Sequence, residues 1–400
     1  YERVPYYRQK LDEMGVAPSD IQTLEDVRKL PFTDKAVLRE TFPFGLFAVP
    51  LDDIRELHSS SGTTGKPVVV GYTDDDMDMW SECIARLVQM AGVVPGDIAQ
   101  MAFGYGMFTG GFGLHYGLQR LGCAMIPAGS GNTERHIQMI EDYGTTVLVA
   151  TPSYAMHICE VGEKMGYDWA KSPLRVGEPC PPGLKAEIER RMHIVCTDNY
   201  GLTEVMGPGV SGECLAERYQ QHIAEDHFLW EVIDPETGEP VGEGEMGELV
   251  LTPLCKQGIP VLRYRTHDLT AVHTEPCACG RTLARMDKVR SRSDDMLIIR
   301  GTNVFPSQIE HALLQVPGIE PHYHIVVDRV GTLDTIEVQV ELSPSVMSDT
   351  VRDLETLERK IVNSLASHAL IHASVKLCQP GTLPRSEGKA VRVTDRRHLQ

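Results

Sequence analysis

HSSSGTTGKPVVVGYT, residues 58–73, decides how the rest of the chain is read. It carries the hydroxyls, the glycines and the lysine of a phosphate cradle. A P-loop needs Gly, any four residues, then Gly-Lys followed by Ser or Thr. Ser60 stands where the first glycine should be, and Pro67 follows Lys66. Proline has no N–H to donate and breaks a helix running on from the lysine. The segment therefore offers no helix N-terminus to a phosphate. Two readings remain: a flexible loop that wraps phosphates without a helix dipole, or a Ser/Thr/Gly turn with no ligand at all.

The flanking sequence predicts the fold. Thr73 can cap a helix and Asp76 can complete its capping box. Met77, Trp80, Ile84, Leu87, Val88 and Ala91 then recur at helical spacing up to Gly92. Apolar runs at 98–103, 123–127, 145–152 and 193–201 read as buried strands, with helical segments such as ERHIQMIEDYG and SYAMHICEVGEKMG between them. That alternation predicts an α/β fold with a mostly parallel sheet flanked by helices. From about His227 to residue 290 the pattern alternates and carries Asp-Pro and Thr-Gly turn signals, which predicts antiparallel strands. A smaller α+β region follows. The expected organisation is a large N-terminal domain over 1–293 and a small mobile C-terminal domain over 294–400.

Composition narrows the function classes. The 400 residues include 38 Lys and Arg against 56 Asp and Glu, a net charge of −18. A nucleic-acid or anionic-membrane surface calls for basic patches instead. No apolar run is long enough to span a bilayer. Ten scattered cysteines in a chain this size fit a reducing cytosol better than a disulfide framework. The expectation is a cytoplasmic protein that binds small molecules, with some chain preceding Tyr1.

Six further segments, with the opening loop, carry a resemblance. They are GYGMFTGGFGLHYG (104–117), ATPSY (150–154), DNYGLTEVMGPG (198–209), RYRTHDLT (263–270), RSDDMLIIRGTNVFPSQIE (292–310) and LPRSEGKAVRV (383–393). In this order they resemble the acyl- and aryl-adenylate-forming enzymes, and among these the phenylacetate–coenzyme A ligases. The resemblance covers nearly the whole chain. It implies ATP, Mg²⁺ and coenzyme A as cofactors and an aryl acid as substrate. The implied reaction has two steps. The carboxylate attacks the α-phosphorus of ATP, and the coenzyme A thiol then displaces AMP. Such chemistry rests on positioning and on neutralising charge at oxygens.

The resemblance assigns roles residue by residue. Ser60, Ser61, Gly62, Thr63, Thr64, Gly65 and Lys66 become the loop for the β- and γ-phosphates. Glu178 and Pro179 fall in the adenine-contacting segment, although Cys180 departs from the aromatic usual there. In Asp198-Asn199-Tyr200-Gly201, Tyr200 lies near the adenine; Thr203 bonds the α-phosphate and Glu204 holds Mg²⁺, a hard cation suited to carboxylate. Asp268 takes the ribose hydroxyls and Arg292 reaches the nucleotide. Asp294 is the hinge, Ser291 stands before Arg292 where glycine is usual, and Gly301 lines the coenzyme A tunnel. Lys389 stabilises the charge that develops during adenylation. Tyr105, Phe108, Gly110, Gly111, Ala150 and Pro208 are the candidates for the acid pocket, since aromatic walls and a glycine floor suit a flat ring. A homodimer is expected by resemblance only.

Two choices stay open. Cys214, His222, Cys277 and Cys279 make a closed tetrahedral Zn²⁺ site, or they are four unrelated side chains; Cys255 and His273 are alternative ligands. Enzymes resembling this family also transfer AMP to the phenolic group of a deazaflavin, so the acceptor could differ.

Overall fold

The computed structural model describes residues 1–60, 67–107, 109–178, 182–289, 291–293, 297–299, 302–330, 333–344, 346, 351–369, 371–383 and 392–397. The chain divides into two compact units, Tyr1–Lys288 and Val289–Gln400.

The first unit is organised by a parallel sheet. Its strands lie in the order Ala124–Ile126, Ile98–Met101, Val147–Val149, Val176–Glu178 and Val195–Cys196. Helices Thr109–Leu121, Thr133–Tyr143, Pro152–Lys164 and Pro182–Met192 make the crossovers. The expected α/β class is therefore present. The chain leaves Ile98–Met101 toward one side and returns to Val147–Val149 on the other. That reversal opens a crevice beyond the carboxyl ends of these two strands, where ligands of open α/β sheets bind. The strands are short and mostly apolar, as strands covered by helices on both faces are, with Gln100 a buried polar exception.

The helix after the opening stretch runs Asp74–Met90. Thr73 Oγ1 accepts from the Asp76 amide at 3.1 Å, and Asp76 Oδ2 accepts from the Thr73 amide at 3.0 Å, so the capping box forms as its residues imply. Its apolar stripe packs on Thr109–Leu121 at close range. A Cβ at Gly117 would meet Ile84 at 2.1 Å, so only glycine permits this approach.

Antiparallel pairing begins earlier than its turn signals suggest. The apolar run at 193–201 is two strands in two sheets: Val195–Cys196 ends the parallel sheet, and Asn199–Leu202 starts an antiparallel one. That second sheet has the order Val272–His273, Arg285–Asp287, Gln220–Ile223, Gly207–Glu213, Asn199–Leu202. Thr197 and Asp198 turn the chain between them, and no glycine or proline marks the break. Phe228–Ile233, Gly247–Pro253 and Tyr264–Thr270 pair antiparallel in that order as a third layer.

The second unit has its own core. Ser374–Cys378, Leu333–Leu342, Ile319–Val330 and Val393–Asp395 form one sheet. Helices Pro306–Leu314 and Val351–His368 supply Ile309, Leu313, Ile361 and Leu365 to the core with Ile325, Val327, Val338 and Val340. Among the described residues no helix is long and apolar enough to cross a membrane.

Candidate active site

The opening stretch is a hairpin. Glu56–Ser59 pairs antiparallel with Val69–Tyr72, so a strand, not a helix, follows Pro67. The Ser60 amide donates to the Val68 carbonyl at 3.0 Å, and the Ser60 hydroxyl accepts from the Val68 amide at 3.2 Å. Ser60 thus closes the neck of the hairpin and keeps its hydroxyl proton for another acceptor. Ser61, Gly62, Thr63, Thr64, Gly65 and Lys66 lie outside the described residues, as do Phe108, Pro179, Asp294, Gly301 and Lys389. Of Glu178 only the backbone is described, as the end of a parallel strand.

Asn199–Leu202 carries the nucleotide residues. Tyr200 donates its hydroxyl to Asp268 Oδ2 at 2.6 Å, which brings together two residues 68 apart in the chain. The Asp268 amide donates to Thr266 Oγ1 at 3.0 Å, and on the same strand Arg265 pairs with Glu248 at 2.6 Å. His267, with a left-handed φ of 62°, donates its amide to Glu248 Oε1 at 3.2 Å. Gly201 has a packing reason for being glycine: a Cβ there would lie 1.8 Å from the Gly207 carbonyl oxygen. The register slips beside it, between Tyr200 and Gly201, as β-bulges do next to binding sites.

Thr203 and Glu204 follow on the turn and are buried at 8 % and 6 % exposure. Thr203 Oγ1 lies 3.1 Å from Thr109 Oγ1. This bond joins the turn after the nucleotide strand to the helix that starts at Thr109, within the GYGMFTGG segment. Gly110 and Gly111 are buried on that helix, and a Cβ on Gly111 would press within 3.1 Å of the Gly104 carbonyl. Tyr105 is half-buried, with its hydroxyl 2.8 Å from His115 Nδ1 and its ring edge-on to Phe112. Ala150 is buried just after Val147–Val149, and Pro208 is the second residue of the strand Gly207–Glu213 after the turn. Arg292 lies on the short strand Ser291–Arg292 in the second unit.

Sequence reading missed two lysines near Glu204. Lys35 Nζ pairs with Glu204 Oε1 at 3.4 Å. Lys256 is buried and donates to the Val205 carbonyl at 3.1 Å. Burial pushes its ammonium down to about 8, against the pull of Asp76 and Glu204. Nothing in TPLCKQG marks this lysine as buried. A third group lies behind Asp198. Glu213, fully buried, accepts from Lys185 at 2.5 Å, Lys288 at 2.9 Å and the Asp198 amide at 3.0 Å. Lys288 also reaches Asp198 Oδ2 at 3.3 Å. Burial raises Asp198 to about 6, with Lys288 opposing and Glu213 adding to the rise.

The four candidate metal ligands converge. The Cys214, His222, Cys277 and Cys279 ligand atoms all lie within 4.8 Å of one another. Cys214 Sγ and Cys277 Sγ are 3.8 Å apart, and Cys279 Sγ is 3.4 Å from His222 Nε2. Two sulfurs at about 2.3 Å from one tetrahedral zinc stand about 3.8 Å apart, so the spacing fits an ion at the centre. The Glu217 amide donates to Cys214 Sγ at 3.2 Å, an outer contact of the kind that orients metal ligands. Burial opposes ionisation of Cys279, but hydrogen bonds from Arg281 help bring it down to about 7. The alternatives fall away: Cys255 is exposed and His273 pairs with Asp287 at 3.1 Å. The cluster can hold a metal ion, and none of the described cysteines is in a disulfide.

With this geometry in hand, the comparisons with known proteins are specific. The AMP-binding enzyme profile matches residues 19–253, and the AMP-binding enzyme C-terminal domain profile matches 301–397. The chain belongs to the AMP-binding enzyme family. It is 46 % identical to the phenylacetate-coenzyme A ligase of Thermus thermophilus, over 99 % of this chain and 93 % of that one. Identity to the phenylacetate-coenzyme A ligase of Escherichia coli is also 46 %, over 100 % and 92 %. Among solved structures, 2-hydroxyisobutyryl-CoA ligase in its postadenylation state matches with a TM-score of 0.91 at 29 % identity, over 100 % of this chain and 86 % of that one.

Proposed function

We propose that this AMP-binding enzyme activates an aryl-acetic acid, phenylacetate first among them, to its acyl-adenylate and then to its coenzyme A thioester. The Thr203–Thr109 hydrogen bond at 3.1 Å carries the reading. It puts the residue expected at the α-phosphate beside the segment expected to hold the acid. Those are the two groups that must meet. The 46 % identity to phenylacetate-coenzyme A ligases supports the choice of acid.

In this mechanism Ser60 and the loop through Lys66 hold the outer phosphates, and Asp268 takes the ribose hydroxyls with Tyr200 locking its carboxylate. The acid's carboxylate oxygen bonds to the α-phosphorus as the bond to pyrophosphate breaks. The coenzyme A thiolate then bonds to the acyl carbon, and AMP leaves. Lys389 neutralises charge in the first step. Glu204 fits Mg²⁺, because its buried carboxylate already pairs with a cation, Lys35; the ion would supply charge neutralisation at phosphate oxygens. The C-terminal domain, 294–400, turns about Asp294 between the steps, bringing Gly301 to the coenzyme A tunnel. Zn²⁺ at Cys214, His222, Cys277 and Cys279 is structural, since a full set of four ligands leaves no open position. Free thiols suit a cytosolic setting. Assembly as a homodimer rests on the resemblance alone and is checked by light scattering.

The test mixes the enzyme with ATP, Mg²⁺ and a panel of aryl acids, with and without coenzyme A, and measures AMP and pyrophosphate. AMP release that needs both phenylacetate and coenzyme A is expected. Tight ATP binding with no acid turned over would point instead to AMP transfer onto a phenolic acceptor. Metal analysis of protein purified without added zinc should find about one Zn²⁺ per chain; a value near zero removes the metal assignment.

A further inference from the structure

Behind the Glu204 turn, three side chains hold three nearby backbone carbonyls, those of Val205, Met206 and Pro208. Lys256 Nζ donates to the Val205 carbonyl at 3.1 Å. The Tyr72 hydroxyl donates to the Met206 carbonyl. Trp80 Nε1 donates to the Pro208 carbonyl at 2.8 Å. The three donors support one another. Tyr72 and Trp80 stack with ring centroids 4.8 Å apart, and the Lys256 ammonium lies 4.3 Å from the Tyr72 centroid. The loop that presents Lys256 is fixed as well. Asp76, fully buried, accepts from the Gln257 amide at 2.7 Å and the Gly258 amide at 2.8 Å. Gly258 admits this contact, because a Cβ there would lie 2.5 Å from the Gly71 carbonyl.

A buried ammonium is a costly way to satisfy one carbonyl. A methionine of similar length would fill the space without desolvating a charge. At 4 % exposure, Lys256 makes its one hydrogen bond among the described residues to the residue next to Glu204. We propose that Lys256 is a positioning residue for adenylate formation. Its ammonium, carried on the Tyr72–Trp80 stack, holds the Val205 carbonyl and thereby sets where the adjoining Glu204 carboxylate meets the nucleotide. The third of these carbonyls belongs to Pro208, a candidate for the acid pocket. The clamp therefore also fixes the distance between the two substrates.

This inference rests on the ligase reading, and the test separates the two. Pyrophosphate release by the unmodified enzyme with phenylacetate is measured first; no release overturns the ligase reading and this inference with it. Lys256→Met is then compared in the two half-reactions. Adenylate formation should fall about tenfold or more, with a matching rise in the Mg²⁺ concentration for half-maximal rate. Coenzyme A attack on preformed phenylacetyl-adenylate should stay within about twofold. Equal losses in both half-reactions, or a lower unfolding temperature with unchanged rates per folded molecule, overturn the inference. Should Lys256→Met not fold, Tyr72→Phe removes the neighbouring donor alone. It should shift the Mg²⁺ dependence in the same direction, and an unchanged dependence overturns the inference.

Discussion

One antiparallel sheet carries two candidate sites of opposite character. At its edge, Asn199–Leu202 presents the nucleotide residues as a consecutive run. Toward its other side, the metal ligands come from three places: Cys214 just after Gly207–Glu213, His222 on Gln220–Ile223, and Cys277 and Cys279 before Arg285–Asp287. The nucleotide edge is half-exposed and ends in a turn whose backbone is clamped from behind. The cluster is largely buried and satisfied by its own four members. A binding edge must leave room for a ligand, so its side chains lie half-exposed. A structural cluster must complete itself, so its residues close on one another.

That contrast makes separable predictions. The largest effect belongs to the nucleotide edge. Glu204→Gln should lower adenylate formation about a hundred- to a thousandfold, while thermal unfolding stays within a few degrees. A large fall in stability with it would mean that the Lys35–Glu204 pair is structural and that the two regions are alike. Cys277→Ser should do the reverse. It should release the metal and lower the unfolding temperature by about 5 °C or more, while turnover of the folded fraction stays within about threefold. Loss of turnover without loss of stability would break the distinction from the other side.

The smallest effect concerns Asp198, which lies between the two regions. Its folded pKa, about 6, lies above the ordinary carboxylate value, so the folded chain keeps a proton that the unfolded chain has released. Stability from this group is therefore present at low pH and is lost as pH rises from about 4 through 6. Asp198→Asn should flatten that part of the stability curve, as read by urea unfolding across the range. An unchanged slope would mean that Lys288 and Lys185 hold the carboxylate ionised throughout.

The sequence alone determined the α/β class and the Thr73–Asp76 cap, because each depends on neighbours within a short span, whereas the candidate nucleotide residues came from the resemblance of their motifs to a family. A capping box spans three residues and a strand–helix alternation about thirty. It also named the cysteines and histidine of the cluster, since residue type is the whole of that signal, but left Cys255 and His273 as alternatives. Only the tertiary structure decided what required distance. It split the run at 193–201 between two sheets. It brought Tyr200 to Asp268, and Thr203 to Thr109. It set Lys256 behind Glu204, where no local pattern announces a buried charge. The physical reason is that periodicity reports which face of an element is apolar, whereas the partner of a buried polar group is chosen by packing between elements far apart in the chain. Asp76 shows both at once. Its cap to Thr73 is legible from the spacing, but the hold it keeps on Gln257 and Gly258 exists only in the folded chain.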